Sequence, residues 1–224
     1  MKTAILIPAR LESTRYPNKM LVELDGKPLI KRVYDACKET DYDTFVVTDS
    51  KEIASIVPKH IMTGDARNGT ERCAMAAEEL DYDYYVNVQG DMPDITADMI
   101  EKVITHQKGF AVTTLYTDMR EEEQNRPESV KLVKSDDNVL WMGRGMTGYG
   151  HWHLGIYGYA KVALSMYPHL DLCLEETVEK LEQLRWLKNG IGIGCVYTDF
   201  DGVEINTLED IHLWNYKNEH KENK

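Results

Sequence analysis

Ala4-Ile5-Leu6-Ile7-Pro8-Ala9-Arg10-Leu11-Glu12-Ser13-Thr14-Arg15-Tyr16-Pro17-Asn18-Lys19 is the stretch from which the rest of the chain can be read. The apolar run Ala4 to Ile7 has the length and flanks of a buried first strand. Pro8 and Pro17 oppose helix, so the residues after Ile7 read as a loop leaving the C-terminal end of that strand. Ligands of open α/β sheets sit outside the carboxyl ends of the strands. Arg10, Arg15 and Lys19 set three cations at that place, with the Ser13 and Thr14 hydroxyls between them. In a chain of formal net charge −12, this concentration points to a polyanion, most simply a triphosphate. A solvated basic loop is the other reading of the same residues.

Outward from the loop, Leu21-Val22-Glu23-Leu24 and Asp25-Gly26-Lys27-Pro28 form a turn before an amphipathic stretch. Pro28 suits a first helical position, and Leu29, Ile30, Val33, Tyr34 and Cys37 repeat at three and four. Phe45-Val46-Val47 reads as a short buried strand, with Asp49 or Ser50 capping a helix over Lys51 to Val57. Glu71 to Leu80 has helical composition. Tyr84 to Val88 reads as a strand, Thr96 to His106 as a helix and Ala111 to Leu115 as a strand. Val130 to Val133 and Val139 to Met142 read as two strands joined at Asp136-Asp137-Asn138, with Trp141 and Met142 in the core. Leu154 to Tyr159 follows as a strand, then Leu174 to Lys188 as one long helix closed by Asn189-Gly190. Ile193 to Tyr197 is a last strand, and Thr207 to Asn218 a terminal helix capped by Thr207 with Glu209 and Asp210 in its first turn. The expected fold is therefore one α/β domain over residues 1–224, with a mixed, mostly parallel sheet flanked by helices and wound in a Rossmann-like manner.

A chain of 224 residues with 42% hydrophobic and 29% charged residues has the composition of a soluble globular protein. Its negative field argues against general nucleic-acid or anionic-membrane binding. Met1-Lys2-Thr3 leads into a short apolar run unlike a signal-peptide core, and no run reaches the length of a membrane span. Cys37, Cys73, Cys173 and Cys195 are scattered without a C-x-x-C pair, so reduced thiols and a cytoplasmic location are expected. Neither G-x-G-x-x-G nor G-x-x-x-x-G-K-[ST] follows the first strand, which removes the usual support for dinucleotide and P-loop sites.

Three further stretches carry chemistry. Asn68-Gly69-Thr70-Glu71-Arg72 precedes a helix. Its glycine lets backbone N–H groups approach a base or phosphate, and an ordinary helix start capped by Thr70 is the alternative. Asn87-Val88-Gln89-Gly90-Asp91 ends a strand, and Gly90 lifts Asp91 off the same sheet edge as the basic loop. A carboxylate opposite a triphosphate suits magnesium, which favours a few carboxylates plus phosphate oxygens; a turn or cap role is the alternative. His151-Trp152-His153 puts both histidines on one strand face, where zinc would lack further ligands and a hydrogen bond to an acidic substrate fits better. Glu182 and Arg185 fall on the expected long helix among Glu175, Glu176, Glu179 and Lys180, much of which reads as a solvated face.

Together these stretches resemble the CMP-Kdo synthetases (3-deoxy-manno-octulosonate cytidylyltransferases) over nearly the whole chain. The resemblance is carried by Ile7-Pro8-Ala9-Arg10 with Ser13-Thr14-Arg15, Pro17 and Lys19, then by Gly26-Lys27-Pro28, Thr48-Asp49, Gly69-Thr70-Glu71-Arg72 and Asn87 to Asp91. His153-Leu154-Gly155-Ile156-Tyr157-Gly158-Tyr159 and Leu181-Glu182-Gln183-Leu184-Arg185 are the stretches more specific to the Kdo branch. The resemblance implies a nucleotidyltransferase fold, CTP and an acidic eight-carbon sugar as substrates, a CMP-sugar and pyrophosphate as products, and a place in lipopolysaccharide biosynthesis. It implies that Pro8, Ala9, Arg10, Ser13, Thr14, Arg15, Lys19, Asn68, Gly69, Arg72 and Gln89 border the nucleotide. Gln89, Arg144, His153, Tyr157, Glu182 and Gln183 would face the sugar. Lys19, Arg15 and Asp91 would serve catalysis, Asp91 and Asn206 would hold Mg2+, and the enzyme would be a homodimer. Another acidic sugar, such as an amino-Kdo or a different nonulosonic acid, or a weakly active nucleotide-sugar-binding protein, are the alternatives.

Three departures stand out. The family's Val-Asp-Thr-Pro-Glu-Asp is matched by Ile205-Asn206-Thr207-Leu208-Glu209-Asp210, so an amide replaces a metal-binding carboxylate. Met92 stands where a Glu usually follows Gln-Gly-Asp. The link from Arg144 to His153 is short and rich in glycine, with Gly145, Gly148 and Gly150.

Overall fold

The first apolar run extends at both ends into β1 (Thr3–Ala9), buried at every position. Its alternation feeds two cores, because successive strand side chains face opposite sides of a sheet. Ile5 and Ile7 join one cluster with Leu29, Val33, Ile100 and Trp214, while Ala4 and Leu6 join another with Cys73, Ala77, Leu164 and Trp186. The computed structural model describes residues 1–12, 16–107 and 109–221.

After a two-strand hairpin, β2 (Glu23–Leu24) and β3 (Lys27–Pro28), come α1 (Leu29–Cys37), β4 (Asp43–Thr48), α2 (Lys51–Ile56), β5 (His60–Met62), α3 (Gly69–Glu78), β6 (Tyr84–Val88) and α4 (Ala97–Thr105). The second half runs β7 (Val112–Thr117), β8 (Lys131–Ser135), β9 (Asn138–Gly143), β10 (His151–Ala160), α5 (Lys161–Met166), α6 (Leu174–Glu179), α7 (Leu184–Lys188), β11 (Ile193–Tyr197) and α8 (Leu208–Lys221). Among the described residues no helix is long and apolar enough to cross a membrane.

The sheet departs from the expected mostly parallel, Rossmann-like form. Its order is β5-β4-β1-β6-β10-β7-β11-β9-β8, and β8 also pairs with β10. Parallel pairing holds for β5–β4, β4–β1, β1–β6 and β7–β11. Antiparallel pairing holds for β6–β10, β10–β7, β11–β9, β9–β8 and β8–β10. Antiparallel pairs therefore predominate, and β10, β7, β11, β9 and β8 close into a five-stranded barrel. The physical reason lies in the connections. A parallel crossover needs about a dozen residues or more, whereas β8 reaches β9 through a turn at Asp136, with φ of 48°, and β9 reaches β10 through residues 144–150.

Smaller differences also have local causes. The helix expected over Leu174 to Lys188 is broken: Lys180 takes the left-handed conformation (φ 50°, ψ 47°), ending α6 and leaving residues 181–183 between two short helices. Pro28 is extended and precedes α1 instead of opening it. Asn68, not Thr70, caps α3, its side chain accepting the Glu71 N–H at 2.8 Å. Trp141 is only partly buried, while Met142 is in the core.

Candidate active site

β1 and β6 are parallel neighbours, so Ala9 and Val88 end at the same sheet edge. β10 runs antiparallel to β6, with Ile156 opposite Val88, and this direction returns its beginning, with His153 and Gly155, to that edge. A bulge between Leu154 and Tyr157 lets the chain bend there. Gln89 N–H donates to the Gly155 carbonyl at 3.3 Å. A Cβ on Gly155 would lie 2.9 Å from Gln89 Cγ, so glycine is what allows β10 to lie this close to Gln89.

A cavity of about 500 Å³ opens at this edge, lined by Pro8, Ala9, Arg10, Lys19, Gln89 and Asp91 on one side and by Asn68, Gly69 and Arg72 on another. Lys19 is buried, and its Nζ donates to Asp91 Oδ2 at 2.7 Å. Arg10 is exposed at the cavity. Arg72 is buried and held by Asp49 Oδ2 at 2.6 Å and Thr63 Oγ1 at 2.7 Å. Ser13, Thr14 and Arg15 lie outside the described residues.

The break at Lys180 turns Leu181, Glu182 and Gln183 toward the sheet edge. Glu182 closes the cavity floor by accepting from Gly69 N (3.2 Å), Thr70 N (2.8 Å) and Thr70 Oγ1 (2.6 Å). The N–H groups of the α3 start, which have no partner within the helix, are thus met by a protein carboxylate. Burial raises the Glu182 pKa, and the bonds from Thr70 and Gly69 oppose the rise.

A second cavity of about 220 Å³ adjoins the first, with Gln89, Asp91 and Glu182 lining both. Arg144, His153, Tyr157, Gln183 and Asn206 also line it. His153 is buried and bonded through Nε2 to Thr114 Oγ1 at 2.9 Å, and its ring centroid lies 5.3 Å from that of Tyr157. Burial, with the nearby Arg144 cation, lowers the His153 pKa to about 3, so the ring is neutral at physiological pH. Burial raises the Tyr157 pKa well above its usual value, which keeps its hydroxyl protonated. The short 144–150 link is pinned at its start: Arg144 N and Gly145 N donate to Glu179 Oε2 at 2.6 and 3.0 Å, and Arg144 Nη1 donates to the Glu128 carbonyl.

The structure brings together every described candidate residue, Pro8 to Asn206, around these two cavities. Met92 is fully buried in the core, so a side chain there does not reach the site. The sequence reading missed Glu204, which lines the smaller cavity and accepts from Gly155 N at 3.4 Å. Burial, with the charge of Asp91, raises the Glu204 pKa to about 8. Its signal was present in the alternation Glu204-Ile205-Asn206, two polar residues flanking a core one.

The cytidylyltransferase family matches residues 4–193. The 3-deoxy-manno-octulosonate cytidylyltransferase of Chloroherpeton thalassium is 37% identical over 235 residues, covering 94% of this chain and 95% of the relative. The 8-amino-3,8-dideoxy-manno-octulosonate cytidylyltransferase of Shewanella halifaxensis is also 37% identical, over 95% of this chain and 97% of its own. A solved structure of CMP:2-keto-3-deoxy-manno-octonic acid synthetase complexed with CTP is similar at a TM-score of 0.90 and 29% identity, over 99% of this chain and 100% of that one.

Proposed function

The chain belongs to the CMP-Kdo synthetase family of cytidylyltransferases, and we propose how its two adjoining cavities divide the reaction between them. It is a nucleotidyltransferase that moves a cytidylyl group from CTP to an acidic sugar such as Kdo. The larger cavity takes CTP, the smaller takes the sugar, and transfer occurs where they meet. One observation carries this division: Gln89, Asp91 and Glu182 line both spaces.

Arg10 and Lys19 bind the phosphates, with Ser13, Thr14 and Arg15 assigned beside them from the sequence alone. Asn68, Gly69 and Arg72 border the nucleotide. Lys19 is oriented by Asp91 at 2.7 Å and stabilises charge on the departing pyrophosphate. Arg144 meets the sugar carboxylate, while Tyr157 and Gln183 offer uncharged hydrogen bonds to its hydroxyls. Neutral His153 keeps the orientation that its Thr114 partner sets. These contacts align the anomeric hydroxyl for in-line attack on the α-phosphorus, and positioning supplies much of the acceleration.

The donor chemistry at the junction suits Mg2+: Asp91 gives a carboxylate and Asn206 an amide oxygen, both hard donors. Among the described residues no group of three or more His, Cys, Asp or Glu is arranged to hold a metal. When bound, Mg2+ neutralises phosphate charge and acidifies the attacking hydroxyl.

A single domain over 1–224, a cytoplasmic location and a homodimer complete the proposal. The exposed Leu174 and Val178 on α6, which buries none of its residues, support a dimer face. An amino-Kdo is the second reading for the sugar, favoured by the carboxylates Glu128 and Glu204 in the smaller cavity, which an ammonium group would pair with. Pyrophosphate release with CTP is to be measured against Kdo, its 8-amino analogue and other nonulosonic acids. Turnover is expected with Kdo or the amino sugar, and silence with the whole panel would overturn the proposal.

A further inference from the structure

Asn206 leaves Asp91 as the only carboxylate of the expected metal-binding pair. The segment carrying Asn206 is fastened to Asp91 through the backbone, Ile205 N–H donating to the Asp91 carbonyl at 2.9 Å. Ile205 is fully buried while its two neighbours are half-buried, the alternation of an extended chain that turns residues 204 and 206 to one side. Glu204 and Asn206 both line the smaller cavity with Asp91.

Glu204 is weakly held by the protein. Its Oε1 accepts one long hydrogen bond, from Gly155 N at 3.4 Å, and among the described residues it has no ion-pair partner. The cavity sets Asp91, Glu128, Glu182 and Glu204 against Arg144 and Lys180. Oxygen donors of this kind suit a divalent cation.

From this arrangement we infer that Glu204 supplies the second carboxylate for the divalent cation, in the role that residue 206 has lost, with the Asn206 amide oxygen beside it. The inference rests on the reading of the site as that of a magnesium-assisted cytidylyltransferase. Glu204 would then offset the charge of the ion, and the chain would keep two carboxylate ligands with the second moved by two residues in the sequence.

The test is Mn2+ binding to the full chain, followed by electron paramagnetic resonance with Mn2+ alone as the probe, in wild type, Asp91→Asn, Glu204→Gln and Glu204→Gln/Asn206→Asp. Glutamine keeps an acceptor for Gly155 N–H, so the fold is retained. Glu204→Gln is expected to weaken Mn2+ by about tenfold or more, and the added Asn206→Asp to restore most of that loss. Wild-type affinity in Glu204→Gln, with binding lost in Asp91→Asn, would overturn the role of Glu204 and leave the site reading intact. Absence of Mn2+ binding in the wild type, or unchanged binding in Asp91→Asn, would overturn both.

Discussion

Glu182→Ala tests whether the residue between α6 and α7 holds the site together or only touches substrate. In the wild type its carboxylate accepts from Gly69 N, Thr70 N and Thr70 Oγ1. Hydrogen bonds to a charged group contribute about 1.5–3 kcal/mol each. The α3 start opens onto the cavity, so water can replace part of what is lost, and removing the carboxylate also relieves its burial cost. The net loss is about 3 kcal/mol, which for a chain of this size lowers Tm by about 6–12 °C. Glu182→Gln keeps one acceptor oxygen and turns an amide toward the other donors, so it should fall between. Thermal denaturation by circular dichroism, with KM for CTP and for the sugar measured in parallel, reads the effect. Both KM values should rise, because Gly69 and Arg72 of α3 line the larger cavity, Gln183 lines the smaller, and Leu181 and Glu182 line both. A Tm within about 2 °C of wild type, with only the sugar KM raised, would refute the anchoring role.

Other consequences are equally specific. A Cβ on Gly158 would overlap the Tyr84 hydroxyl and lie 2.6 Å from Thr113 Oγ1. Gly158→Ala should therefore cost about 3 kcal/mol in chemical denaturation, and a loss below about 0.5 kcal/mol would contradict the close β6–β10–β7 packing. His153 has a folded pKa of about 3, below its unfolded value of 6.5. The unfolded chain binds that proton first, so the contribution is present above pH 6.5 and is lost as pH falls toward 3. Within that window wild-type stability should fall more steeply than that of His153→Gln by about 1.4 kcal/mol per pH unit, and parallel slopes would show that His153 charges freely. Lys19→Met should lower kcat by about 100-fold in steady-state pyrophosphate release, and an unchanged kcat would remove Lys19 from the chemistry.

Much of the site was legible because its residues sit at strand ends, where short-range pattern and location coincide. Ala4 to Ile7 marks β1, Tyr84 to Val88 marks β6, and their shared edge brings Lys19 to Asp91. The sheet direction was misread because strands buried on both faces have apolar runs whether parallel or antiparallel. The turn at Asp136 and the 144–150 link carried the missing information, being too short for a crossover. The helix expected over Leu174 to Lys188 hid the break at Lys180, since nothing in a lysine demands a left-handed conformation. Glu204 lies one residue before the run that matches the family motif, so the motif does not mark it. Its nearness to Asp91 arises from a backbone bond between residues far apart in sequence.

Cytidylyl transfer across the two cavities, with Asp91 at their junction, is read by phosphorus NMR of CTP, Kdo and Mg2+ incubated with wild type or with Asp91→Asn. The wild type should convert CTP into pyrophosphate and one new CMP phosphodiester signal, and Asp91→Asn should yield neither above background. Equal conversion by Asp91→Asn, or pyrophosphate from the wild type without the diester signal, would contradict this reading of the junction.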